Sequence, residues 1–154
     1  MASAKRRRCP WRWSRPSLAP LSTYLKLTRA SETLWNRLAP GLQQHDLTPS
    51  QFGVLEALHH LGPMHQCELG ERILKSSGNM TLVIDNLERR GLVRRERSTE
   101  DRRFIWVHLT TEGEQLIRRA FPVHAEAITR ELAVLTQDEQ RALGTLCRKL
   151  GVVA

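Results

Sequence analysis

The chain has 154 residues, of which 40% are apolar and 26% charged, the balance of one globular domain. No apolar run approaches the roughly 18 residues that a transmembrane helix needs, and the cationic start lacks the apolar stretch of a signal peptide. The three cysteines are far apart and odd in number, which excludes a disulfide framework and a Cys-x-x-Cys zinc site. These features predict a cytoplasmic protein without a membrane partner.

Most of the net charge of +8 lies at the amino terminus. Residues 1–15 carry six basic side chains and no acidic ones, which leaves a net charge of +2 for the rest of the chain. The Arg, Trp and Pro residues there show no periodicity, so we expect residues 1–17 to form a disordered basic tail. Residues 72–103 hold nine basic and five acidic side chains, and a nucleic-acid surface is expected there.

Apolar spacing predicts three helices in the first half of the chain. The first begins at Leu18 and ends at Pro40-Gly41. Thr48-Pro-Ser-Gln51 is a capping box with proline at the first helical position, and it begins a second helix that stops before Gly62-Pro63. A short third helix fits residues 66–74.

The fourth helix has the clearest limits, with Ser77 as its N-cap and Gly91 as the residue of positive φ that ends it. Its apolar side chains form one stripe, made of Met80, Val83, Ile84 and Leu87. Two strands, residues 92–97 and 104–109, then enclose a polar tip and predict a β-hairpin.

The remaining residues predict helices again. Pro122 is expected to kink the fifth helix or to split it in two. Thr136-Gln-Asp-Glu139 is a second capping box, and it begins a last helix that ends at Gly151.

Three helices followed by a charged hairpin are the layout of a winged helix-turn-helix, whose last helix would enter the major groove of DNA. The fourth helix carries candidate DNA-binding residues in its first turn and opposite its apolar stripe: Ser76, Ser77, Asn79, Thr81, Leu82 and Asn86. Hydroxyl and amide groups at a helix N-terminus can bind phosphate, asparagine can bond an adenine edge, and an exposed leucine can contact a thymine methyl. The alternative is an ordinary surface helix in which Asp85 and Arg89 pair as i, i+4 neighbours.

The hairpin tip carries Asp101, Arg102 and Arg103. Arginine suits the narrow, negative minor groove, and a neighbouring carboxylate can hold one guanidinium extended before DNA arrives. The alternative is a solvated turn of mixed charge.

In their order and spacing, these segments resemble the MarR family of bacterial transcriptional regulators. The motifs are Leu69-Gly-Glu-Arg-Ile73, residues 77–93, and Asp101-Arg-Arg103 followed by Leu109-Thr-Thr-Glu-Gly113. The resemblance covers residues 18–151. It implies a mostly α fold with a small β-hairpin wing: a winged helix-turn-helix lobe at residues 48–110 and dimerisation helices at residues 18–45 and 111–151.

The resemblance also implies a homodimer that binds a pseudo-palindromic operator in double-stranded DNA. Residues 76, 77, 79 and 81 would contact phosphates and bases. Arg103 would enter the minor groove, oriented by Asp101 and assisted by Arg102. Many relatives carry a basic residue where this chain has Leu82, which bears on base preference. Independently of the family, the long apolar faces of residues 18–38 and 116–150 favour burial by a second chain.

Many members of the family are repressors released by small aromatic ligands or by oxidation. Four residues are candidates for an inducer pocket by their location, and each is equally an ordinary core or interface residue: Trp35, Phe52, Leu55 and His59. The six histidines form no H-x-x-x-H or H-x-H pair, so no metal or other cofactor is expected. No catalytic constellation indicates an enzyme.

The sequence therefore predicts a cytoplasmic, nucleoid-associated regulator, namely a homodimeric repressor released by a small organic ligand. One alternative is a thiol redox switch of the same fold that uses Cys9, Cys67 or Cys147, of which Cys67 lies near a helix start. The other is a winged helix for protein contact or for non-specific nucleic-acid binding, with the basic tail supplying most of the affinity.

Overall fold

The computed structural model describes residues 15–73, 76–98 and 104–151, which form six helices and three strands. The helices are α1 (Arg15–Gln43), α2 (Pro49–Leu61), α3 (Gln66–Arg72), α4 (Ser77–Arg89), α5 (Thr111–Leu132) and α6 (Gln137–Lys149). The strands are β1 (Met64–His65), β2 (Val93–Arg97) and β3 (Ile105–Leu109). The predicted fold class, mostly α with a small wing, is confirmed. Within the described ranges, no helix is long and apolar enough to cross a bilayer.

Contacts divide the chain into two units, residues 1–36 and residues 37–154. The described part of the first unit is residues 15–36 of α1, and five of its large apolar side chains are exposed: Leu21, Tyr24, Leu25, Leu27 and Trp35. The helix begins at Arg15, so the assignment of residues 15–17 to a disordered tail is wrong. Proline is tolerated in a first helical turn because the N–H it lacks has no partner there. The rest of the predicted tail lies outside the described residues.

The second unit has its own hydrophobic core, built by the end of α1, by α2, α3 and α4, by the sheet and by α5. The largest fully buried side chains are Leu42, Leu55, Leu69, Met80, Ile84, Leu87, Ile117, Val54, Val93 and Val107. Burying one such side chain stabilises the fold by about 1.5–3 kcal/mol. This core supports α4 from one side and leaves its opposite face uncovered.

Two helices continue through prolines that were expected to end or split them. Helix α1 passes Pro40 and ends at Gln43, because Leu38 and Leu42 are buried and the Leu47 N–H donates to the Leu42 carbonyl at 3.1 Å. Helix α5 passes Pro122 without a break, so of the two predicted outcomes, a kink or a split, the split is wrong. Burial of Ala120 and His124, on both sides of Pro122 in sequence, holds that helix in place.

Smaller differences concern helix ends. The N-cap of α4 is Ser76, with extended backbone, and not Ser77, which is the first helical residue. Helix α3 ends at Arg72, before the predicted limit at residue 74. The capping boxes of α2 and α6 and the positive φ of Gly91 (69°) are confirmed.

The three strands form an antiparallel sheet in the order β1-β3-β2. Val93 pairs with Leu109 and Arg97 with Ile105, which gives the predicted hairpin. Strand β1 adds Met64 opposite Val107 and was not predicted, because two residues are too few to show an alternating pattern.

Helix α5 begins directly against the turn that follows α4. The Thr110 hydroxyl donates to the Gly91 carbonyl at 2.6 Å and accepts from the Gly113 N–H at 3.1 Å. A Cβ atom at position 113 would lie 2.0 Å from the carbonyl oxygen of Leu92, which is far inside van der Waals contact. Glycine is therefore required at position 113 for α5 to approach this turn.

Candidate nucleic-acid interface

Helix α4 buries one face and exposes the other. Met80, Ile84 and Leu87 are completely buried, whereas Leu82 is 59% exposed. Leu82 therefore lies on the solvent side of α4, opposite the residues that pack against the core. The orientation predicted for the fourth helix is confirmed, with its apolar stripe toward the core.

The first turn of α4 presents small polar groups to solvent. Ser76 and Asn79 are exposed, and the Ser76 side chain makes no capping hydrogen bond. The first N–H groups of a helix have no intrahelical acceptor, and the helix dipole is positive at this end. This turn can therefore bind an anion such as a DNA phosphate.

The two polar candidates farther along α4 are held by neighbouring side chains. Thr81 is exposed, and its hydroxyl oxygen accepts a hydrogen bond from the Gln66 amide of α3 at 2.8 Å. Asn86 is half-buried, and its side-chain oxygen accepts from the Arg89 guanidinium at 3.1 Å. Both side chains are thus oriented before any ligand binds.

Arg95 of β2 is a part of this site that sequence reasoning missed. Its guanidinium lies 2.6 Å from Asp85 and 2.8 Å from Glu88, both on α4. Asp85 therefore pairs with Arg95 of the neighbouring strand β2. The surface-helix alternative expected it to pair with Arg89 of its own helix. An arginine among the charged residues of a short strand gives no sign in the sequence that it faces inward.

The wing strands bring the two ends of the hairpin tip together. The Ser98 N–H donates to the Phe104 carbonyl at 3.1 Å, which closes the ladder next to the tip. Asp101, Arg102 and Arg103 lie outside the described residues, as does the side chain of Ser77. Their predicted DNA contacts stay predictions.

The four inducer-pocket candidates lie in different surroundings. Phe52 and Leu55 belong to the core of the second unit, and Trp35 of the first unit is 49% exposed. His59 Nδ1 lies 3.0 Å from Glu114 Oε2. Their role in ligand binding stays a prediction.

The contact between α2 and α5 contains titratable groups near these candidates. Two hydrogen bonds lower the pKa of Glu114, the larger effect coming from Arg118 and the smaller from His59. The ring of His124 lies 4.5 Å from that of Phe52, centroid to centroid. Burial lowers the pKa of His124, although the charge of Glu56 acts in the opposite direction.

The cysteines occupy separate places. Cys67 is exposed on α3 and Cys147 is partly buried on α6, while Cys9 lies outside the described residues. Across residues 15–73, 76–98 and 104–151, no group of His, Cys, Asp and Glu side chains is arranged to hold a metal ion.

A winged helix-turn-helix with an exposed, polar recognition helix defines a DNA-binding transcriptional regulator. The MarR family profile matches residues 47–105, which run from the start of the lobe into β3. The chain is 36% identical over 132 residues to the HTH-type transcriptional regulator YkoM of Bacillus subtilis, and this covers 86% of each chain. The chain belongs to the MarR family.

Two similar proteins have been solved with a ligand bound. The PcaV regulator of Streptomyces coelicolor, in complex with its natural ligand, is 28% identical with a TM-score of 0.73, covering 92% of this chain and 97% of that one. NadR in complex with 4-hydroxyphenylacetate is 25% identical with a TM-score of 0.71, covering 84% and 92%.

Proposed function

We propose that this protein is a homodimeric repressor that binds a pseudo-palindromic operator and is released by a small organic ligand. The observation that carries the proposal is the exposed face of α4, where polar side chains surround an unburied leucine beside the wing. Sequence-specific binding gives Leu82 a role as a contact to a thymine methyl, which binding without sequence preference does not require.

The DNA contacts follow from this face. Ser76, Ser77, Asn79 and Thr81 contact phosphates and bases of the major groove, Leu82 contacts a thymine methyl, and Asn86 lies one turn farther along. From the wing, Arg103 enters the minor groove, with Asp101 and Arg102 beside it.

Uncovered apolar faces support the dimer. Helix α6 has no buried residue, and Leu143, Leu146 and Leu150 on it are exposed. The part of α1 in the first unit likewise exposes five large apolar side chains, from Leu21 to Trp35. A second copy of the chain would cover these faces, and a two-fold axis between the copies would match an inverted repeat in DNA.

The ligand part of the proposal is supported by the two relatives solved with ligands. A small organic molecule that binds more tightly to a dimer whose recognition helices do not fit successive major grooves lowers DNA affinity by that difference. Trp35, Phe52, Leu55 and His59 are the candidate contacts. The protein acts in the cytoplasm on the bacterial nucleoid.

Selection of bound sequences from a random duplex library tests the proposal. The full chain is compared with a variant that begins at Arg15, the first helical residue. An inverted repeat enriched by both proteins supports a dimeric regulator and supplies the operator for ligand screening. Binding without enrichment that disappears with the tail contradicts it.

Two substitutions separate the roles of wing and helix on that operator. Arg103→Ala should weaken operator binding by about 1–3 kcal/mol, as for the loss of an arginine contact in a groove. Asn79→Ala should relax the base preference if Asn79 reads a base edge. Titrations of operator and of scrambled DNA measure both effects, and unchanged operator affinity of Arg103→Ala would remove the wing from the mechanism.

A further inference from the structure

Arg95 ties the wing to the recognition helix through several groups at once. Besides its ion pairs with Asp85 and Glu88, its guanidinium donates to the Thr81 carbonyl at 3.3 Å. Its backbone N–H donates to the second oxygen of Glu88 at 2.8 Å. Its side chain is 20% exposed, so these contacts form in partly dehydrated surroundings. One residue of β2 thus contacts two turns of α4.

Gln66 extends this network to α3. Its side-chain oxygen accepts from Arg95 Nε at 3.3 Å, and its amide nitrogen donates to the Thr81 hydroxyl at 2.8 Å. Thr81 is therefore held at its carbonyl by Arg95 and at its hydroxyl by Gln66. The network sets the position of a side chain on the exposed face of α4.

The same contacts offset the net negative charge of helix α4. Helix α4 contains Asp85, Glu88 and Arg89, which give it a net charge of −1, an unsuitable sign for an element that approaches phosphates. Arg95 brings the sum to zero. Because its guanidinium is engaged by two carboxylates of the protein, Arg95 is not available as a phosphate contact.

We propose that Arg95 is a positioning residue for operator recognition, which acts through α4 and does not touch DNA. The proposal rests on the proposed function, because it takes α4 to be the helix that enters the major groove. Arg95 keeps Thr81 in the geometry that reads bases and neutralises the acidic side of the helix.

The test compares Arg95→Met with Arg94→Met on the selected operator. Arg94 is the matched control, since it precedes Arg95 on the same strand but is 56% exposed and pairs with Glu96 at 2.7 Å. The dissociation constant is measured over a series of salt concentrations, and base preference is measured by repeating the sequence selection. Thermal unfolding followed by circular dichroism shows whether each variant is folded.

The expected result is an operator Kd raised about tenfold or more by Arg95→Met but less than threefold by Arg94→Met, together with a broadened base preference. The slope of log K against log salt should become less steep by much less than about 0.9, the change expected when one direct phosphate contact is lost. A change of about 0.9 in this slope, or equal effects of the two variants, overturns the proposal. Arg95→Lys keeps the charge without the fork and should recover affinity but not base preference.

Arg95→Met leaves two carboxylates without their partner, which can unfold the protein. The triple variant Asp85→Asn, Glu88→Gln, Arg95→Met removes these charges together and should still show the broadened preference. An unchanged preference in a folded triple variant overturns the proposal. If the wild-type chain itself enriches no sequence, the proposed function fails. If the wild type selects an operator that Arg95→Met reads equally well, only the role of Arg95 fails.

Discussion

Helices α2 and α6 have the same length and the same kind of start, but opposite surroundings. Each has 13 residues and begins with a capping box, Thr48 with Gln51 in α2 and Thr136 with Glu139 in α6. Six residues of α2 are buried, whereas none of α6 is. Local sequence can thus specify two helices equally well while the stability that each draws from packing differs completely.

The difference shows which helix has an apolar face that the described residues leave uncovered. Most apolar side chains of α2 are buried within one chain, in the core around Leu55. Helix α6 leaves Leu146 at 57% and Leu150 at 68% exposure, so its apolar face stays in water unless another molecule covers it. The proposed dimer assigns that role to a second copy.

The largest effect on the free energy of unfolding should come from shortening a buried side chain of α2. Leu55→Ala removes a fully buried side chain and should lower the free energy of unfolding by about 2–5 kcal/mol, because it leaves a cavity in the core. Urea unfolding at two protein concentrations measures it. Leu146→Ala is the matched change on α6, and it should lower the free energy of unfolding only at the higher protein concentration, where dimers form. An equal loss in both variants at the low concentration would contradict the contrast between buried Leu55 and exposed Leu146.

The next effect concerns association. Leu146→Asp places a charge on the exposed apolar face of α6 and should raise the dimer dissociation constant about tenfold or more, because a carboxylate is costly to bury without a partner. Sedimentation equilibrium measures this constant, and circular dichroism should show unchanged helix content. A variant that dimerises like the wild type would show that this part of α6 is not the interface.

Matched cap substitutions test the part that the two helices share. Thr48→Ala and Thr136→Ala each remove a hydroxyl that accepts a backbone N–H, at 3.2 Å and 3.3 Å respectively. Each should cost about 1 kcal/mol. Hydrogen exchange of the first helical turns measures the loss locally. A much smaller cost in α6 would mean that its start frays in the wild type.

The smallest effect is a pH dependence from the contact between α2 and α5, where His124 of α5 packs against Phe52 of α2. Burial against Phe52 of α2 lowers the pKa of His124, so the unfolded chain binds this proton more readily than the folded one. The stability present above about pH 6.5 should therefore be lost as pH falls through the pKa of the folded state. The measurement is urea unfolding of the wild type and of His124→Leu between about pH 7.5 and about pH 5.5, a range around the usual histidine pKa of about 6.5. The same slope in both would exclude His124 as its source.

Glu139 on α6 provides the contrast in pH. Hydrogen bonds from the backbone and hydroxyl of Thr136 lower its pKa below the usual 4.5. Its contribution is therefore present above that value and is lost only as pH falls further, outside the range of the His124 measurement.

Local signals made much of the fold predictable. Both capping boxes, the stop at Gly91 and the apolar stripe of α4 could be read directly, because each depends on a few neighbouring residues. The exposed face of α4 followed from the stripe, since a helix that buries one side must present the other.

What could not be predicted depends on contacts between distant residues. Strand β1 exists because Met64 pairs with Val107, more than forty residues away in sequence. Arg95 lies in a charged stretch that suggests solvent, and only the fold brings it to Asp85 and Glu88. Helix α1 continues past Pro40 because buried Leu42 holds its last turn, and tertiary packing outweighs a local stop signal there.

The close approach at Gly113 has a mechanical consequence. The Leu92 carbonyl contacts the first turn of α5 with no room for a side chain, and Thr110 joins the same turn through Gly91. The start of α5 and the end of the recognition helix are thus one stiff joint. Helix α5 has 22 residues and is about 33 Å long. A tilt of α5 by about 5° would displace its far end by about 3 Å, and at position 113 the Leu92 carbonyl leaves no gap that could absorb such a motion.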